Sequence, residues 1–272
     1  MFEAKLNDGS IWKKLIDSIK DLLTEGMLEC GENGISLQAM DSSHVSLVSF
    51  NMSSNGFDTY RCDREMCMGV TIASMAKILK CASNDDKIKL QREENSNILK
   101  FTFENASTRL YIIISIFLAL ERVSHYELKL IDLDTDRLAV PETDYNSSIK
   151  LPSNEFTRVI RDMASLGESV IIECSKGEVR FSSSGDIGKG QTILRSTAST
   201  DEPESAILIN VSESLSMSFN LKYMTMFTKG AVLSNRVVLS MCVDVPIVIE
   251  YDIVDFGKLC YYLAPKIEDA EE

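Results

Sequence analysis

The chain has 272 residues, 44% of them apolar and 25% charged, with a formal net charge of -13. That apolar share specifies a folded chain, and the length fits two domains of ordinary size better than one. The acidic excess excludes nucleic-acid binding by bulk attraction, because phosphate is also anionic; contact with DNA requires basic residues segregated from acidic ones.

In chain order, the first element is a helix over residues 11 to 23, with Ile11, Trp12, Leu15, Ile16, Ile19, Leu22 and Leu23 at helical spacing and Ser10 as its N-cap. Lys13, Lys14 and Lys20 fall on its other side. Strands follow between residues 27 and 50. Within them, Ile35, Leu37 and Ala39 alternate against Ser36 and Gln38, and after Met40-Asp41-Ser42-Ser43 a second alternation sets Val45 and Leu47 against His44 and Ser46. Asp and Ser between the two can bond their own backbone in a tight connection. Two readings of this stretch stand side by side: a surface hairpin with its apolar members on the core, or the floor of a groove for a partner's side chains, built around Met40, His44 and Leu47.

After Phe57-Asp58-Thr59-Tyr60-Arg61-Cys62-Asp63-Arg64 comes a second helical pattern from Ile72 to Cys81. It buries Ile72, Met75, Ile78 and Leu79 and leaves Lys77 and Lys80 outside. Strands are expected at residues 88–90 and 98–103. The run Leu110 to Leu120 is apolar except for Ser115, has neither period, and is far short of the ~20 residues that cross a membrane. Residues 130–148 are acidic, contain Pro141 and read as a linker.

The plan then repeats. A helix over residues 153–165 buries Phe156, Val159, Ile160 and Met163 and exposes Arg158 and Arg161; strands are expected at 169–174, 178–184, 190–196 and 205–211. A fourth helix near 220–229 buries Leu221, Met224 and Phe227 and shows Lys222 and Lys229, and strands at 236–242, 247–251 and 258–263 precede an acidic tail. Each half has a helix after its first strand, several strands, a second short helix and more strands. The fold class is α+β, with two similar domains in which two short helices pack on antiparallel sheet: 1–129, a linker at 130–148, 149–267, and a tail at 268–272.

All four helices display cations in a chain where acids outnumber bases 41 to 28. One basic surface inside an acidic whole holds phosphate without reading bases. These faces lack the interleaved aromatics that stack single-stranded bases, which favours duplex.

The seven cysteines, at 30, 62, 67, 81, 174, 242 and 260, form no Cys-x-x-Cys pair, and only two histidines could complete a metal site. They read as buried free thiols of a reducing compartment, and no cofactor is implied. The start, Met1-Phe2-Glu3-Ala4-Lys5, lacks the apolar core of a signal peptide, so the Asn-x-Ser matches at Asn51, Asn105, Asn146 and Asn210 are read as chance.

Gly34 to Leu47, Phe57 to Arg64, Lys77-Ile78-Leu79-Lys80-Cys81 and the ending Tyr261 to Asp269 together resemble the proliferating cell nuclear antigen family of eukaryotic sliding clamps, over nearly the whole chain. The resemblance implies a DNA-clamp fold and a ring of three identical subunits, with the helices lining a hole around double-stranded DNA. Arg61 and Arg64, inside one of the resembling segments, join the helical cations as implied DNA contacts. The resemblance further implies a pocket for a partner's docking peptide beneath the linker. By motif it draws on Met40, His44, Val45 and Leu47, on Leu138, Val140 and Pro141, on Asp244, Val245 and Pro246, and on Tyr262, Leu263, Ala264, Pro265 and Lys266, with main-chain bonds from the tail fixing register. The implied partners are DNA polymerase, clamp loader, nuclease, ligase and other replication and repair proteins. Lys176 matches the lysine that carries ubiquitin or a related modifier in the family, and the implied place is the nucleus.

The chain departs from the family pattern at about Ser107 to Leu120, ahead of the strand that forms the subunit contact. A retained intron or splice variant and a lineage-specific hairpin extension are the two readings, and both bear on ring closure. Catalysis is not expected: there is no Gly-x-x-x-x-Gly-Lys-Ser/Thr loop and no His-Glu-x-x-His, and Asp41, Ser42 and His44 are too close in sequence to converge as a triad. The alternative to a processivity clamp is a clamp-like paralogue that binds peptides without closing around DNA.

Overall fold

A computed structural model describes residues 1–105, 122–133, 143–197 and 205–266. The N-terminal half runs β1 (Phe2–Leu6), α1 (Ser10–Ile19), β2 (Glu25–Gly31), β3 (Gly34–Met40), β4 (Ser46–Ser53), β5 (Thr59–Cys62), β6 (Met66–Thr71), α2 (Ile72–Leu79), β7 (Lys87–Arg92), β8 (Ile98–Asn105) and β9 (Arg122–Lys129). The C-terminal half runs β10 (Ser147–Pro152), α3 (Ser153–Ala164), β11 (Ser169–Ser175), β12 (Glu178–Gly185), β13 (Gly188–Arg195), β14 (Leu208–Val211), β15 (Leu215–Asn220), α4 (Leu221–Phe227), β16 (Arg236–Met241), β17 (Ile247–Ile253) and β18 (Gly257–Leu263).

The repeat holds place for place. Strand order β5-β1-β7-β8-β9 in one half matches β14-β10-β16-β17-β18 in the other, and β4-β3-β2-β6 matches β13-β12-β11-β15. The registers given for these strands are antiparallel, as in β8 against β9 and β12 against β13. With mostly antiparallel sheet and four short helices among the described residues, the α+β class stands.

The chain divides into two compact units. One is Met1–Leu37, Asn51–Asp136 and Asp255–Gly257; the other is Gln38–Phe50, Arg137–Val254 and Lys258–Glu272. In the first, α1 packs on α2, burying Trp12, Leu15, Ile16, Ile19, Ile72, Met75 and Leu79 together with Phe2, Leu28, Phe101 and Phe103 from the strands. In the second, α3 packs on α4 over Phe156, Ile160, Met224 and Phe227, and Phe227 stacks on Tyr261 at 4.7 Å. Each fully buried side chain of this size contributes about 1.5–3 kcal/mol, so the apolar stripe is what commits each helix to its sheet.

Several sequence expectations are corrected. Ser10 is the first helical residue, not the cap: Gly9 precedes it, and the Asp8 carboxylate accepts from the Ser10 amide at 3.0 Å. The helix stops at Ile19, and Leu22 and Leu23 stay buried in a turn whose amides both reach the Ile19 carbonyl at 3.0 Å. In α2, Ile78 is half-buried and Ala76 takes the core position. Strands β5, β6 and β15 are additional to those expected, although Leu215-Ser216-Met217-Ser218-Phe219 alternates plainly and buries its three apolar members. The strand expected over 205–211 begins only at Leu208. Ser147 and Ser148, placed in the linker, begin β10 and pair with Met241 and Ser240. Of the seven cysteines, all free, Cys30, Cys174 and Cys260 are buried, whereas Cys67 and Cys81 are exposed. The departure at 107–120 lies outside the described residues, as do Leu138, Val140 and Pro141. No helix among the described residues is long and apolar enough to cross a membrane.

Candidate functional site

The helical cations come in two sets, each within one unit. On α1 and α2, Lys14, Lys77 and Lys80 are exposed and make no ion pair among the described residues. Lys13 is half-buried, and its ammonium donates to the Ala82 carbonyl at 2.6 Å and to Asn84 Oδ1 at 3.0 Å, which ties α1 to the end of α2. Lys20 is engaged by Asp17 at 2.6 Å. On α3 and α4, Arg158, Arg161 and Lys222 are exposed; Asp162 lies 4.0 Å from the Arg158 guanidinium and 3.5 Å from that of Arg161. Lys229 is exposed in the 3-10 turn Thr228–Val232, past the end of α4. Exposed pairs of this kind are worth about 0–1 kcal/mol and are screened by salt, so they leave the charges available to a polyanion. Arg61 and Arg64 are not on these faces. Arg61 lies on β5 and pairs with Asp63 at 2.7 Å, and Arg64 follows in the turn beside Glu94 at 3.3 Å.

The stretch Gln38–Phe50 belongs to the second unit. Gly34, at φ 135°, opens β3 with its α-carbon against the Met52 carbonyl, a place no Cβ could occupy. Beyond β3, the side chain of Asp41 organises the connection to β4. Its Oδ1 accepts from the amides of Val45 at 2.9 Å and Ser46 at 2.6 Å and from Ser46 Oγ at 3.2 Å. Its Oδ2 accepts from the Ser43 amide at 2.9 Å and from the Tyr223 hydroxyl at 3.0 Å. Burial pushes this carboxyl up, but the bonds from Ser46, Ser43, Tyr223 and Val45 outweigh it and hold Asp41 below the ordinary aspartate range. His44 closes the turn at φ 55°, with its amide on the Asp41 carbonyl at 3.0 Å.

This turn sets the register of β4 against the sequence expectation. The core side is Ser46, Val48, Phe50 and Met52, whereas Val45 is exposed and Leu47 half-buried. Apolar side chains therefore stand off the core beside the half-buried Met40 and the exposed His44. The hairpin reading, with its apolar members on the core, holds for Ile35 and Leu37 of β3 and fails for Val45 and Leu47.

In the same unit, the tail meets the turn directly: the Ala264 amide donates to the Val45 carbonyl at 3.3 Å, and the Lys266 amide to the Ser218 carbonyl at 2.8 Å. Both amides are thus engaged and Pro265 has none, so main-chain donors for a docked peptide do not come from Ala264 to Lys266. Leu263 is fully buried and offers no side chain to a pocket; Tyr262 and Pro265 are half-buried, and Ala264 and Lys266 exposed. Asp244, at φ 62°, and Pro246 are exposed in the loop before β17, with Val245 half-buried. Lys176 is exposed in the two-residue turn between β11 and β12, ahead of Gly177 at φ 77°.

Two family models match the chain: Proliferating cell nuclear antigen, N-terminal domain, over residues 1–138, and Proliferating cell nuclear antigen, C-terminal domain, over residues 139–266. The chain belongs to the proliferating cell nuclear antigen family. It is therefore of the DNA sliding clamp kind, in a family of non-enzymatic scaffolds whose partners are DNA and replication proteins. For a proliferating cell nuclear antigen chain, the geometry is coherent: the helix pairs carry exposed cations, and the turn and tail expose apolar and small side chains. Two participants escaped the sequence reading. For Asp41 the sequence shows the capacity to bond its own backbone but not its role as the hub of the turn; Tyr223 carries no local signal, because its partner is 182 residues away. Among the described residues, no group of three or more His, Cys, Asp or Glu side chains could hold a metal ion.

Proposed function

We propose that this chain closes as a homotrimer around double-stranded DNA, acts as processivity factor for a replicative DNA polymerase, and serves as docking platform for clamp loader, nuclease, ligase and other replication, repair and translesion-synthesis proteins bearing short peptides. The observation that carries it is the exposed set Lys14, Lys77, Lys80, Arg158, Arg161 and Lys222 on the helix pairs of a chain with net charge -13. Lys13, Lys20 and Lys229 extend the set. Such cations hold the phosphate backbone without reading sequence.

Ring formation is supported by the edges. Strands β9 and β13 each end a run of paired strands, and at 8 residues they are longer than the edge strands β5 and β14, at 4 each. A long open edge invites pairing with another chain. The docking reading is supported by Met40, His44, Val45 and Leu47 standing off the core beside the tail, with Asp244, Val245 and Pro246 as proposed further contacts; by the family resemblance, Leu138, Val140 and Pro141 of the linker are proposed to take part as well. The proposed domains are 1–129 and 149–267, with 130–148 as linker. Lys176, exposed on its turn, is the proposed modification site, and the nucleus the proposed place of work; the chain itself turns over no substrate.

Loaded on closed circular DNA, the ring is expected to persist at salt that strips ordinary phosphate binders and to leave when the circle is cut. Equal loss from closed and linear DNA would overturn it. Light scattering is expected to give a trimer; a monomer would favour the peptide-binding paralogue.

A further inference from the structure

We propose that Tyr223 is a positioning residue of the docking surface: from α4, its hydroxyl holds the Asp41 carboxylate and keeps the turn from Asp41 to Ser46 in its binding shape. This rests on the reading of that turn as a docking wall.

Asp41 receives the amides of Ser43, Val45 and Ser46 and the Ser46 hydroxyl, all from the turn itself. Tyr223 is the donor that comes from another element, at 3.0 Å. Without it the Asp41 carboxylate is held only by donors of the turn itself, in which His44 sits in the left-handed region. With it, the buried carboxylate at the centre of the turn is fastened to a helix that packs on α3. The opposite side of the turn is held by the Ala264 amide on the Val45 carbonyl. The exposed side chains of His44 and Val45 are thus presented between two fixed points.

A surface ordered before binding does not lose loop entropy on binding; removing one anchor moves that cost into the binding step. The proton is secure, since burial, with Asp41 adding to it, pushes the Tyr223 phenol up. The hydroxyl can be removed without displacing the ring, although this also takes away its contact with the Ser43 side chain of the same turn. In Tyr223→Phe, the ring keeps its place 6.5 Å from the Phe227 ring, and the exposed Lys222 beside it is untouched.

The test titrates the full chain with a fluorescein-labelled synthetic peptide carrying aromatic and aliphatic anchors on one turn. Tyr223→Phe is expected to weaken binding roughly fivefold, on the scale of one ordinary hydrogen bond, with a small fall in melting temperature because the same bond holds the free turn. The carboxyl carbon resonance of Asp41 is expected to titrate at higher pH in the variant, since a donor to the charged form is gone. An unchanged Asp41 titration, or wild-type peptide affinity in Tyr223→Phe while Leu47→Ala binds weakly, would overturn the positioning role and leave the docking surface standing. Undiminished binding by Leu47→Ala would overturn the docking surface and this role with it.

Discussion

The connection from β3 to β4 and the connection from β12 to β13 hold the same place in the plan the two halves share, and they are built differently. The second is minimal: Gly185 pairs with Gly188, and Asp186 and Ile187 make the turn, with Ile187 82% exposed. The first takes five residues, buries a carboxylate to 6% exposure and fastens it to α4. A short turn suffices to close this hairpin, so the additional residues and the buried charge at Asp41 serve something besides closure. The plan supplies rigid strands twice; the connection that departs from the minimum is the one whose shape a buried carboxylate and a helix hold fixed.

The comparison can be broken by mutation, starting from the shared scaffold. Ile35→Ala, at 1% exposure on β3, is expected to cost roughly 2–5 kcal/mol in calorimetric unfolding, setting the scale for the strands themselves. Asp41→Ala should cost about 2–3 kcal/mol, by orphaning turn amides and the Tyr223 hydroxyl, whereas Asp186→Ala should stay within about 0.5 kcal/mol. Equal effects would erase the distinction between the two connections. Because Asp41 is depressed in the folded state, its stabilisation is complete above the unfolded value of about 3.9 and is lost as pH falls through the lower folded value. Thermal unfolding of wild type and Asp41→Asn should therefore differ most above that window and converge below it. Leu47→Ala should weaken peptide docking with little change in melting temperature, about 1 kcal/mol or less, since the side chain is only half-buried. The smallest effects belong to the helices. Lys77→Ala should lower the slope of log affinity for DNA against log salt by ~0.9. Lys20→Ala, already paired with Asp17, should lower it by less.

Much of the fold was legible because its signals are local. The stripes of α1 to α4 follow a period of 3.6, and residues such as Phe156, Ile160, Met224 and Phe227 bury where that period puts them. The duplication was legible as an order of elements and extends to the strand orders. Strand β15 was missed despite its alternation, since it leads without a break into the helix at Leu221. Lys13 reads as one more outward lysine; only the fold brings the Ala82 carbonyl to its ammonium.

By itself, then, the sequence determined which residues are apolar on each helix, that one plan is used twice, that cations collect on the helices of an acidic chain, and to which family the chain belongs. The tertiary structure decided what depends on partners far along the chain. A slip of one residue in β4 exchanges its faces, and the turn held by Asp41 put Ser46 and Val48 inward and Leu47 outward. Leu263, matched by motif to a pocket, became core because β18 buries it. Tyr223 met Asp41 across 182 residues of sequence. Periodicity is a property of neighbours, whereas faces, registers and single hydrogen bonds between distant residues exist only once the sheet has closed.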